Sequence, residues 1–394
     1  MPVRALILSL AGLLPVLFIS GTPAIAMTDV LVVGNARGSV SFISEDSGKN
    51  LATIDVTYDR EEVLSKMPAG GALIYNLMTA DNGGAKDVDD VFLSPDGTVL
   101  YLSRGYLGDA VAMDLTRPGN PIIWRAPIGT HADHAAMSPD GRRLVISSSS
   151  DNKAFLLDTA TGEEVGSFDT GTFSHQNDYS RDGRRIYNSS IGNVLLPRSL
   201  NALKGRRLLV IVDAETLEVE KSFAFEYGIR PNVFTDDEQV FYTQFSYQRG
   251  FSKIDLNTGE IVARVDLPAS PYGQEHFAEP DDYPNDSAHH GMAMSGDGSR
   301  LCLAGTIDNY IAFASTETLE VTAISHGYAL PYWATASSDG RLCYVSNSEE
   351  DTIAVMDFTT GKEVDRVPVG GFPQRTRIGR LADTVAKRLT EAAD

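Results

Sequence analysis

Cysteine is nearly absent from this chain: Cys302 and Cys343 are the only two in 394 residues. That excludes a scaffold held by many disulfides, a zinc module built on paired CxxC motifs, and covalent haem attachment through CxxCH. Basic residues are also short, 33 Lys and Arg against 53 Asp and Glu, for a formal net charge of −20. The acidic residues are spread along the whole chain, so nucleic acid is not expected as a partner. No GxSxG elbow, GxGxxG turn or GxxxxGK[ST] loop occurs, which argues against a serine hydrolase of that type and against a nucleotide cofactor.

Long apolar runs are missing with one exception. Arg4 precedes "ALILSLAGLLPVLFIS", and Ala24-Ile25-Ala26 follows as a small-residue cleavage site. The run is short for a bilayer span and is interrupted by Pro15, so residues 1–26 are expected to be a signal peptide cleaved near Ala26. The mature chain is then exported, to the periplasm or the medium, with no membrane span.

What the chain does have is a repeat. A first turn type recurs at Ser94, Ser138, Ser180, Thr235, Ser295 and Ser337, most often as SPDG or a close variant. A second type recurs from Ser44, Asp114, Asp158, Asp213, Asp255, Ser315 and Asp357. First to second turn is 20 residues in five copies, and second to next first is 22 in three, so the unit is 42 residues. The segments between are short β-branched and aromatic runs such as "RRLVISSSS" and "TIAVMDF". Four strands in about 40 residues, repeated, predict an all-β, seven-bladed β-propeller over residues 27–380.

The seventh first turn is missing and belongs near Gly379. The C-terminal strand is therefore expected to complete the N-terminal blade, Thr376 to Gly379 against Asp29 to Asn35, which closes the ring and removes its open edge. Residues 381–394 are expected to be a short surface helix, with 384–394 dispensable. The last unit, "DGRLCYVSNSEEDTIAVMDFTTGKEVDRVPVGGFPQ", resembles the repeat of the YVTN family of seven-bladed propellers, and the likeness extends more weakly over residues 28 to 379. The resemblance implies the fold and an exported, lactonase-like relative. It is poor for function, because similar propellers include lactonases, lyases, electron-transfer subunits and binding scaffolds.

Label the strands of a blade A to D from the axis outwards. Three connections exceed the ideal length: Ser44 to Ser94 is 50 residues, Asp255 to Ser295 is 40, and Ser180 to Asp213 is 33. All three excesses fall on the face that carries the D-to-A and B-to-C connections. Each of the seven histidines lies in or beside a D-to-A connection, so chemistry is expected on that face.

Counting back from the first turns predicts the ring at the channel mouth. Five positions before each turn stand Asp89, Asp133, His175, Arg230, His290, Tyr332 and Gln374. Four before stand Asp90, His134, Gln176, Pro231, Gly291, Trp333 and Arg375. Two chemistries suit these residues. In one, His134, His175 and His290 ligate a divalent metal with Asp90 or Asp133. In the other, a histidine is the general base, Tyr332 donates a proton, and Arg230 and Arg375 bind a substrate carboxylate.

Gln176, Trp333 and His289 are placed with the substrate-binding residues. Neighbours on a strand point opposite ways, so His289 stands behind His290 or against a loop. The readings are an enzyme of lyase or lactonase type acting on a small anionic or sugar-like substrate, or a non-catalytic propeller binding a ligand, metal or protein partner. Free haem or quinone binding stays open. Cys302 and Cys343 sit one position out of step relative to their turns, in neighbouring blades, and are expected to be two buried free thiols.

Overall fold

A computed structural model of the chain describes residues 26–81 and 84–393. The expected signal peptide lies almost entirely outside the described residues. No helix among those described is long and apolar enough to cross a membrane.

The turns explain the repeat. In each first turn a hydroxyl donates to the aspartate two residues on, Ser94 to Asp96 and Ser295 to Asp297 at 2.6 Å each. The same oxygen accepts the backbone N–H five residues on, Val99 and Arg300 in these copies. The glycine that follows takes a positive φ, 68° at Gly97 and 71° at Gly298. The copy at Thr235 has Glu238 there, held at φ 54°.

Seven four-stranded antiparallel sheets result. Blade 1 takes strand A from the C-terminus (Pro373–Ala382) and strands B to D from the N-terminus (Met27–Asn35, Ser39–Ser44, Asn50–Asp55). Thr376 opposes Val33, and Gly379 opposes Val30, so the ring closes as expected.

The core is not central but divided among the interfaces between blades. Strands B and C are buried on both faces, and alternate residues face alternate neighbours. Leu208, Val210 and Val212 pack against blade 3, while Leu209 and Ile211 pack against blade 5.

That geometry corrects the reading of the cysteines. Cys302 and Cys343 form a disulfide, with Cα atoms 6.6 Å apart. In blade 6, Cys302 and Ala304 face blade 7, while Leu301 and Leu303 face blade 5. In blade 7, Cys343 faces back. Two side chains meet across an interface only from opposite faces of their strands, so the one-position offset is the condition for pairing rather than a bar to it. Closing a loop of 41 residues contributes about 3 to 4 kcal/mol on the chain-entropy account. Reduction, or C302A with C343A, is expected to lower unfolding free energy by about that much, and non-reducing peptide mapping should recover a 302–343 linkage.

The insertions carry helices α1 (Arg60–Lys66), α2 (Ala69–Asp81) and α3 (Pro271–His276). Fully buried Arg104 of blade 2 pins the first insertion through Asp59 and is held by its own blade's Asp109, at 2.6 Å each. Lys204 and Asp286 join the other two at 2.5 Å.

The last helix, α4 (Asp383–Ala393), is more than a surface appendage. It buries Val385, Ala386 and Leu389 in the core between blades 1 and 2. Arg388 donates to the carbonyl of Leu115 and to Asn120 of blade 2. Removing residues 384–394 should therefore cost stability. Leu389→Ala alone should cost about 2 to 4 kcal/mol by denaturant melts.

Candidate active site at the channel mouth

A cavity of about 520 Å³ opens on the face that bears the insertions. All seven residues of the first predicted ring line it: Asp89, Asp133, His175, Arg230, His290, Tyr332 and Gln374. From the second ring only His134 and Arg375 do.

The ring positions sit at a bulge in strand A. Pairing between strands A and B shifts register between Ala132 and Ala135, so Asp133 and His134 fall outside the ladder. The same shift brackets Gln374–Arg375, His175–Gln176, Arg230–Pro231 and Tyr332–Trp333. A bulge re-aims side chains that would otherwise alternate. Both neighbours reach the pocket at Asp133–His134 and Gln374–Arg375, and only the first does in the other three blades.

The remaining predicted residues go elsewhere. Asp90 is not available to a metal: Arg377 donates to both its oxygens, at 3.0 and 2.7 Å, and the Ala135 N–H to one. Gln176 and Trp333 line a second cavity at the opposite mouth. His289 is turned behind the ring, 3.0 Å from Asp308. Asp308 also binds Arg249 and the Ser270 N–H, so His289 anchors the third insertion. His276 and His326 do not line the pocket.

Asp133, His134 and His175 form a compact set, with one possible ligand atom from each within 4.8 Å of the others. His290 stands beside the set, its ring 5.8 Å from His175 and 4.3 Å from Tyr332. Burial, reinforced by Arg375 and other nearby cations, holds His134 and His290 well below the ordinary histidine range; for His175 burial acts with Arg230 and Arg375. The Nδ1 atoms of all three are buried without a hydrogen-bond partner among the described residues.

The acidic side of the pocket behaves differently. Burial and the charge of Asp89 push Asp133 up to about 6. Burial also opposes ionisation of Asp89, but His131, Arg375 and Lys86 outweigh it and hold that carboxyl below its usual value. His131, 3.4 Å from Asp89 and stacked on Tyr106, is raised: burial lowers it, and Asp89 and Asp133 more than compensate.

Apart from His131, which the sequence places at the rim, counting back only to the two ring positions missed part of it. His131, Phe173, Leu330 and Phe372 all line the pocket, and all stand seven positions before their turns. The same register that located the ring was the signal for them. Arg37, Lys86, Tyr106 and Glu349 come from connections without such a register.

At the opposite mouth, burial and the charge of Asp90 push Asp178 up to about 7 against the pull of Arg377 and Gln176. A carboxyl raised in the folded state contributes its stability below the unfolded pKa and loses it as pH rises through the folded value. Asp178→Asn should therefore melt like the parent near pH 4. It should melt progressively higher than the parent up to pH 7, which thermal scans across that range will check.

No protein-family model matches the chain, and no curated protein does. Among solved structures the chain is similar to hydrazine synthase of Kuenenia stuttgartiensis, with 15% identity, 75% of this chain and 96% of that chain covered, and a TM-score of 0.57. At that identity the likeness shows the fold alone.

Proposed function

We propose that the protein is an enzyme that binds a divalent metal ion through Asp133, His134 and His175 and acts on a small anionic substrate at this mouth of the channel. The carrying observation is the compact set itself. Two imidazoles kept uncharged and one carboxylate lie within 4.8 Å, a donor set suited to zinc and neighbouring transition metals. A ring nitrogen buried without a partner is costly unless something accepts it, and both histidines of the set have one.

Such an ion, when bound, supplies Lewis acidity toward a carbonyl or carboxyl oxygen. The other groups do what the chain itself can do. His131, whose pKa is raised by Asp89 and Asp133 against the effect of burial, is the group placed to hold a proton at the edge of the site. Tyr332 and His290 form the opposite wall. Arg230 and Arg375 set a positive potential in a strongly acidic protein, which favours an anionic ligand. Lyase and lactone-opening chemistries both fit a proton holder beside a polarised carbonyl.

The test is elemental analysis of the purified mature chain, followed by reloading after chelation. About one equivalent of a transition metal is expected. Turnover of a panel of lactones and small carboxylates should then depend on that metal. A chain that takes up no metal sinks the reading. One that holds metal yet turns over nothing is the non-catalytic metal-binding propeller instead.

A further inference from the structure

Arg375 is a buried cation of the pocket with unmet hydrogen-bond donors. Its side chain is 3% exposed, yet Nε and Nη1 have no hydrogen-bond partner among the described residues. Its nearest carboxylate, Asp89, lies 3.8 Å from Nη2. The guanidinium carbon lies over the indole of Trp333, 3.9 Å from the ring centre. Beside it the amide Nε2 of Gln374, also buried, is unpartnered. Arg230 differs, because its Nε donates to Ser246 and its Nη2 to the carbonyl of Asn285. A buried guanidinium with unmet donors is costly unless an acceptor completes it.

One stretch of the rim above is apolar, although Lys86, His131 and Glu349 also line the pocket. Phe173, Leu330 and Phe372 occupy the same position in three blades, each at positive φ, 55°, 53° and 59°. A bulky side chain there costs roughly 1 to 2 kcal/mol, which glycine would avoid. Tyr106 and Ile191 extend the same wall.

We infer that Arg375, with Gln374, is the anchor of a carboxylate subsite whose ligand carries a single carboxylate on a flat, apolar body, as arenecarboxylates do. A single negative charge matches one guanidinium with unmet donors, and the ionised Asp89 nearby disfavours a second charge. On that stretch a sugar acid would place hydroxyls against phenylalanine and leucine. The inference rests on the channel mouth being the working site, and not on a metal ion being bound there.

The test is calorimetric titration of the metal-stripped mature chain with benzoate, benzamide, galacturonate and inorganic phosphate, with metal content measured in parallel on an untreated sample. Benzoate should bind saturably and at least about tenfold more tightly than each of the other three. R375M should weaken benzoate about tenfold to a hundredfold, in line with loss of a charge-assisted hydrogen bond. R375K, which keeps the charge without the planar fork, should fall between.

Should R375M fail to fold, the ligand series on the parent decides. Benzamide or phosphate matching benzoate overturns the carboxylate anchor, and galacturonate matching it overturns the apolar body. Benzoate binding through Arg375 in a chain that takes up no metal defeats the metal reading alone. A metal-loaded chain indifferent to benzoate defeats this inference alone.

Discussion

Deleting residues 370 to 394 is expected to leave no folded protein. The strand Pro373–Ala382 pairs with Met27–Asn35 along nearly its whole length. Its loss strands the backbone N–H and C=O groups of a strand buried from Val30 to Asn35. Each such group costs free energy on the order of a lost hydrogen bond. The cores on both sides of blade 1 open as well, exposing Val30 and Val32 toward blade 2 and Leu31 and Val33 toward blade 7. With stabilities of about 5 to 15 kcal/mol typical of folded domains, nothing remains to offset this. Circular dichroism and calorimetry should show no cooperative transition. A truncated chain that melts like the parent would show that the ring does not need its closing strand.

His134→Ala and His175→Ala should each abolish metal retention and lower turnover at least about a hundredfold. Loss of an outer partner of a metal ligand already costs about ten- to a hundredfold, and a ligand counts for more. Both side chains project into a cavity, so melting temperatures should stay near the parent's. His326→Ala and His276→Ala serve as controls, since neither side chain lines the pocket.

The paired aspartates give a sharper contrast. Asp133→Asn should strike metal binding, whereas Asp90→Asn should mainly cost stability through Arg377, which is bonded to it twice. Metal retention in the His134 and His175 variants equal to the parent's would falsify the assigned ligand set. Equal loss in the Asp90 and Asp133 variants would show that the two carboxylates share one role.

The fold was legible in the sequence because its turns are local. A hydroxyl, an aspartate and a glycine within four residues bend the chain whatever surrounds them, and their spacing of 20 and 22 residues counts strands directly. The first ring of pocket residues was legible for the same reason, since a fixed distance from a fixed turn is a fixed height on strand A. Strand alternation likewise separated His289 from His290. It failed at Asp133–His134 and Gln374–Arg375, where both neighbours reach the pocket, although the same bulge in three other blades sends only one there.

What only the tertiary structure decided are contacts between blades. The cysteine offset reads as mismatch along one strand and as complementarity once blade 6 faces blade 7. Asp90 and Asp133 stand at neighbouring ring positions, and sequence offered both to a metal. Asp90 is taken by Arg377 from a strand 287 residues away, whereas Asp133, which accepts from Ser149 and the His134 N–H, lines the pocket. Partnership of that kind is set by which side chains converge on the axis, and neither spacing nor composition encodes it.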